Sequence, residues 1–370
     1  MIPVSEPFLD ESDREAVADA MRRGALSGHM GDYIVKFEQD FSTYCGVSQG
    51  IATNNGTASI HLILAALGIG PGDEVLVSTY TNMATFFAVL YQGATPVPID
   101  IERDTWNLNP NLLERAVTSR TRAIIPVHIF GHPVDMDPVL EFANAHKLLV
   151  IEDAAQSHGA LYLGKKTGSL SDAASFSFYS NKIITTGEGG MVVTDNAEIA
   201  DRCRSFRNLC YGRGADRFLH EAIGFNYRMS NLHAAIGWSQ VKKVERNVEK
   251  KRQIAAWYRD QLHDRPEFQL PIEKPWARNV YWMYHLVLTD ACLYDRAVVM
   301  ARLSEVGIET RPGFTPFNRQ KIALDRGLAR EDDCPVANDV GARAFYLPSS
   351  VLLEKEQVAT VCEALLSAIK

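Results

Sequence analysis

Apolar residues along this chain gather in short blocks separated by turn residues and by helix-length amphipathic intervals. Glu74–Ser78 (EVLVS), Thr95–Ile99 (TPVPI), Ala123–Ile129 (AIIPVHI), Leu148–Ile151 (LLVI), Ala174–Phe178 (ASFSF) and Gly190–Thr194 (GMVVT) each read as a buried strand. Their continuous apolarity predicts parallel pairing, because strands covered on both faces have no polar side to show. Asn82–Gln92, Asn111–Thr118 and Met136–His146 carry helical spacing between them. Ser59–Leu67 (SIHLILAAL) reads as a short helix that follows the turn-prone Asn54-Asn55-Gly56-Thr57 and stops at Gly68, Gly70, Pro71 and Gly72. Strand and helix in alternation predict an α/β fold with a mostly parallel central sheet, helices on both faces, and a ligand site beyond the carboxyl ends of the strands.

The texture changes near Leu232. A single long helix is predicted over Leu232–Leu262, then a segment with Pro266, Pro271 and Pro275. A strand over Tyr281–Leu288, a helix over Asp295–Glu305 and a last helix over Glu354–Ile369 follow. This predicts a large α/β domain over residues 1–240 and a smaller C-terminal α+β domain over 241–370.

Composition narrows the picture. The 370 residues are 46% hydrophobic and 22% charged, ordinary values for a folded protein and outside the ranges of collagen-like or disordered chains. A net charge of −7 gives no electrostatic case for nucleic acid or an anionic membrane. No apolar run is long enough to cross a bilayer, and the acidic start (MIPVSEPFLDESDREAV) lacks the layout of a signal peptide, so a cytoplasmic location is expected. Cys45, Cys203, Cys210, Cys292, Cys334 and Cys362 are scattered with no CxxC pair; reduced thiols and no metal site are expected.

Three local signals carry candidate chemistry. In Ser175-Phe-Ser-Phe-Tyr-Ser-Asn-Lys182, followed by IITTGEGG, an apolar strand ends in small polar residues, one lysine and a glycine-rich turn. A lysine so placed is open to desolvation, which lowers its pKa and makes the amine nucleophilic toward a carbonyl; a solvated loop lysine is the plain alternative. In LLVIEDAAQSH, Asp153 ends a strand and precedes Ala154, Ala155 and Gln156. Such an aspartate can hold a proton on a ligand's ring nitrogen, with an alanine beside it admitting a flat ring, or it can simply cap a helix. Asn55-Gly56-Thr57 before the first apolar helix offers backbone N–H groups and a hydroxyl to an anion, with Ser177 as a second donor, or is an ordinary N-cap.

Their order along the chain, an anion cradle at a helix start, an aspartate at a strand end and then a lysine, resembles the fold-type I pyridoxal-phosphate enzymes. The motifs VIEDAAQSHGA, FSFYSNKIITTGEGGMV, GFNYRMSN and IETRPGF resemble the sugar aminotransferases of the DegT/DnrJ/EryC1/StrS family over essentially the whole chain. The resemblance implies pyridoxal 5'-phosphate as cofactor, Lys182 as the residue that binds it covalently and moves the proton, and Asp153 at the pyridinium nitrogen. It implies Ala155 against the ring, Gln156 at the 3-hydroxyl, and Gly56, Thr57 and Ser177 around the phosphate. Asn226, in GFNYRMSN, matches a residue that reaches the neighbouring subunit's phosphate, so a homodimer with shared active sites is implied. The family places a ring-stacking aromatic where this chain has Asn82, which leaves either the Asn82 amide or Tyr80 to fill that space. A dehydrating branch of the family carries histidine in place of Lys182; lysine therefore points to transamination.

The implied reaction moves nitrogen from L-glutamate to a keto carbon of a nucleotide-linked 4-keto-6-deoxysugar, in the synthesis of amino sugars for surface polysaccharide such as O-antigen. His128, Arg228, Arg311 and the Tyr281–His285 stretch are candidate substrate contacts. Other ketosugars (UDP- or dTDP-linked, 3-keto, or a keto-octulosonate) and a non-catalytic regulator built on the same fold remain the alternatives.

Overall fold

The computed structural model describes residues 1–28, 31–212 and 214–370. Seven strands form the main sheet: β1 (Gln49–Thr53), β2 (Glu74–Ser78), β3 (Thr95–Ile99), β4 (Thr121–Ile125), β5 (Leu149–Asp153), β6 (Ala173–Ser177) and β7 (Gly190–Thr194). Their spatial order is β1-β7-β6-β5-β4-β2-β3. The pairs β2/β3, β2/β4, β4/β5 and β5/β6 are parallel. β7 runs antiparallel to both of its neighbours. That corrects the expectation of parallel pairing for every apolar run. Every residue of β7 is buried, so its apolarity reports two covered faces and not its direction. The β6–β7 connection contains no crossover helix among its described residues, and the chain simply turns back.

Alternate residues of the central strands supply the two cores. Val75, Ile125 and Ile151 pack with Leu62, Ile63 and Phe86 on one face, while Leu76, Ile124 and Val150 pack with Val139 and Ala143 on the other. The helix α1 (Gly56–Ala66) is buried at nearly every position, which is why its sequence is apolar all round.

A second sheet contains β8 (Phe268–Gln269), β9 (Tyr284–Leu288), β10 (Arg311–Pro312) and β11 (Ala344–Leu347), in the order β8-β9-β11-β10 and antiparallel throughout. The predicted helix over 232–262 is two helices, Asn231–Val241 and Val244–Leu262. They part at Lys242-Lys243, where the Lys243 amine is drawn to the Asp10 and Asp13 carboxylates. The strand predicted from Tyr281 starts at Tyr284, since Tyr281 has φ +46° and turns the backbone first. β1 and the helices Glu11–Arg22 and Tyr33–Cys45 lie outside the elements predicted from the sequence. Among the described residues no helix is long and apolar enough to cross a membrane.

Candidate active site

The carboxyl ends of β5 and β6, the start of α1 and residues of the second sheet enclose one cavity of about 360 Å³. Gly56, Thr57, Asn82, Asp153, Ala155, Gln156, Ser177, Lys182 and Arg311 all line it. These positions span most of the chain, and parallel pairing of β5 with β6 is what sets Asp153 beside Ser175, two residues before Ser177.

Asp153 is buried with both oxygens engaged. Oδ2 accepts from the Thr85 hydroxyl at 2.6 Å and Oδ1 from the Ala155 N–H at 3.1 Å. Lys182 follows β6 in the turn toward β7. Burial pulls its pKa from 10.5 down to about 8, with the Asp153 charge pulling the other way. The amine lies 3.9 Å from the centre of the Trp282 ring. A desolvated amine facing a carboxylate across one cavity suits a nucleophile with an electrostatic partner.

Gln156 is also buried; its Oε1 accepts from the Phe130 N–H at 2.7 Å, which fixes the amide and leaves its NH₂ group for the cavity. Asn55 caps α1 by accepting from the Ala58 N–H at 2.8 Å, so the Gly56 and Thr57 N–H groups face out of the helix end. A Cβ on Gly56 would stand 2.9 Å from the Ser177 Cβ. Only glycine therefore lets the helix start approach β6 closely enough to make a cradle with the Ser177 hydroxyl. Two N–H groups at a helix start with two hydroxyls beside them fit a phosphate; the amine, the acid and the Gln156 amide fit the ring end of pyridoxal phosphate.

Of the remaining sequence-predicted residues, Asn82 lies at the cavity and Tyr80, His128 and Arg228 do not line it. Asn82 lines the cavity, and its Oδ1 also accepts from the Ala84 N–H at 2.9 Å and caps the helix Met83–Tyr91, so the amide oxygen is committed to the backbone. Tyr80, the other stacking candidate, is fully buried outside the cavity with its hydroxyl 2.9 Å from His285 Nε2. His128 does not line the cavity: it is fully buried, its Nδ1 accepts from the Val134 N–H at 3.0 Å, and its Nε2 lies 2.9 Å from Glu152. Arg228 also lies outside the cavity and donates to Asn208 Oδ1 at 2.8 Å. Asn226 is exposed and lies outside its own chain's cavity. Thr85, Trp282, Phe314 and Tyr346 line the cavity without having been singled out as individual site residues.

The sequence pattern of the DegT/DnrJ/EryC1/StrS aminotransferase family matches residues 7–366. The chain belongs to that family. It is 42% identical to a GDP-perosamine synthase of Caulobacter vibrioides, over 98% of this chain and 97% of that one. It is 38% identical to a GDP-perosamine synthase of Escherichia coli O157:H7, over 98% and 97%. Among solved structures it is similar to DesV of S. venezuelae in complex with a ketimine intermediate, with a TM-score of 0.90, 33% identity, and coverage of 100% of this chain and 99% of that one. The family member described here is a pyridoxal-phosphate-dependent sugar aminotransferase, and the groups that line the cavity match the chemistry of that cofactor.

Proposed function

We propose that this aminotransferase moves the amino group of L-glutamate onto the keto carbon of a GDP-linked 4-keto-6-deoxysugar. The observation that carries the reading is the convergence of Lys182, Asp153, Gln156, Ser177 and the start of α1 on one cavity in a chain 42% identical to a GDP-perosamine synthase. Bound pyridoxal phosphate supplies the electron sink and carries the nitrogen between the two substrates. The Lys182 amine would hold the cofactor and move the proton at the substrate carbon. Asp153, held by Thr85 and Ala155, would keep the proton on the ring nitrogen. The Gln156 NH₂ would donate to the ring oxygen, and the Gly56 and Thr57 N–H groups with the Ser177 hydroxyl would take the phosphate. Arg311, on the cavity wall, offers a cation to an anionic substrate.

The reading includes a homodimer in which Asn226 of each copy reaches the other's phosphate. Phe218, Leu219 and Ile223, just before Asn226, are 77%, 67% and 89% exposed, a cluster of apolar side chains that favours cover by a second copy. It also divides the chain at about residue 240 into a cofactor-binding part and a smaller closing part, and it places the work in the cytoplasm. The test is glutamate-dependent nitrogen transfer to GDP-, UDP- and dTDP-linked 4-keto-6-deoxysugars in parallel. Product with the GDP sugar is expected; product only with another nucleotide overturns the substrate, and none with any ketosugar overturns the reaction.

A further inference from the structure

We infer that Trp282 is a docking platform for the Lys182 side chain: its indole face holds the amine, as ammonium, whenever the amine is not bonded to the cofactor. The inference rests on the reading that Lys182 is the cofactor-binding lysine. A transamination cycle needs that amine to leave its bond and come back to it. Lysine has four freely rotating carbons, and a released side chain loses its aim unless something holds it.

The amine stands 3.9 Å from the Trp282 ring centre, well inside the range of a cation over an indole face. Among the described residues the Lys182 amine makes no ion pair, so the indole is the contact that receives it. The ring itself is fixed from several sides. Its Nε1–H donates to the Asn181 carbonyl at 2.8 Å, which ties the platform to the residue next to Lys182. Its backbone N–H donates to the Phe130 carbonyl at 2.8 Å, and its ring stacks on the Phe130 ring, with centroids 6.2 Å apart and planes at 13°.

The Trp282 carbonyl accepts from the buried Lys251 amine at 2.8 Å, and Lys251 also donates to the Ser349 carbonyl. The long helix Val244–Leu262 thereby fixes the backbone of the platform. Trp282 is buried, yet it lines the cavity, so one face is packed and the other is offered to the amine. A buried indole N–H needs a partner in any case; what marks this ring is that its partner is the residue next to Lys182 and that the Lys182 amine stands over its face. Trp282 is a positioning residue in this account: it returns the amine to one place for each proton transfer.

The experiment uses the enzyme loaded with pyridoxamine phosphate, which leaves the Lys182 amine free. Competitive acetylation across pH, read by mass spectrometry on the Lys182 peptide, gives the midpoint at which the amine becomes reactive. Replacing all five tryptophans with tryptophans of increasing ring fluorination keeps the shape and weakens the face. The midpoint is expected to fall stepwise with fluorine, and by about 0.4 to 1.5 pH units in Trp282→Leu. Asp153 and His158, ionisable groups whose charges couple to Lys182, are unchanged in every variant. A midpoint that stays fixed or rises with fluorination overturns the inference, and the fluorinated series decides alone should Trp282→Leu fail to fold. Protection of Lys182 from acetylation is read in parallel on the same proteins loaded with pyridoxal phosphate. Loss of that protection would overturn the proposed function, whereas protection with an immobile midpoint would overturn only the docking.

Discussion

Replacing Lys182 with methionine should stabilise the cofactor-free protein while ending its chemistry. Methionine keeps an unbranched apolar stem and removes the amine, whose burial is what lowers its pKa from 10.5 to about 8. In the unfolded chain the amine titrates at its ordinary value, so between pH 8 and 10.5 the unfolded state holds a proton that the folded state has lost. Stability of the wild type therefore rises with pH across that window, and below pH 8 it carries the full cost of a buried ammonium. A depression of that size corresponds to about 3 kcal/mol at 1.36 kcal/mol per unit. Contact with the Trp282 face offsets about 0.5–2 kcal/mol of that cost and to the same extent raises the lower edge of the pH window. Lys182→Met should thus be more stable than wild type by about 1–3 kcal/mol at pH 7, and the advantage should vanish above pH 10.5. Urea unfolding of both cofactor-free proteins at several pH values gives this difference directly. Lys251, also pulled down by burial, to about 7, contributes equally to both proteins and cancels. An advantage that is absent at pH 7, or that does not change with pH, would refute the reasoning.

Three further outcomes are expected. Thr85→Val removes the 2.6 Å bond to Asp153 and should weaken cofactor binding by about 1.5–3 kcal/mol, the scale of a hydrogen bond to a charged group; an unchanged affinity in a reconstitution titration would show that Thr85 does not support Asp153. Asn82→Phe removes the cap on Met83–Tyr91 and should lower holoenzyme stability by about 0.5–2 kcal/mol, while Asn82→Ser keeps it; a phenylalanine variant as stable as wild type in thermal unfolding would contradict the capping role. Asn226→Ala should loosen the cofactor roughly tenfold to a hundredfold, and mixing it with Lys182→Ala should restore turnover in mixed dimers; a monomer with full cofactor occupancy would exclude a shared site.

The chemistry that was legible in the sequence sits where local patterns mark strand ends. The motifs around Asp153 and Lys182 each place one functional side chain directly after an apolar run, and the parallel β5/β6 pair brings the two together. Contacts between distant segments left no such trace: Thr85 meets Asp153 across 68 residues, and Trp282 reaches Lys182 from the second sheet's approach. The cap that Asn82 makes is a local signal, an asparagine at the first position of a predicted helix, and it is compatible with the place of Asn82 at the cavity. His128 ends an apolar run as a substrate contact would, but the demand of the buried Glu152 for a partner claims it. The direction of β7 was not legible, since burial on both faces gives the same apolar run either way.

The most direct test of the central claim is where the cofactor attaches. Reducing the yellow holoenzyme with borohydride fixes the pyridoxyl group to its lysine, and digestion with mass spectrometry identifies the peptide. The account predicts the added mass on Lys182 alone. The added mass on Lys251, the other buried lysine whose pKa burial lowers, or on any other lysine would contradict it.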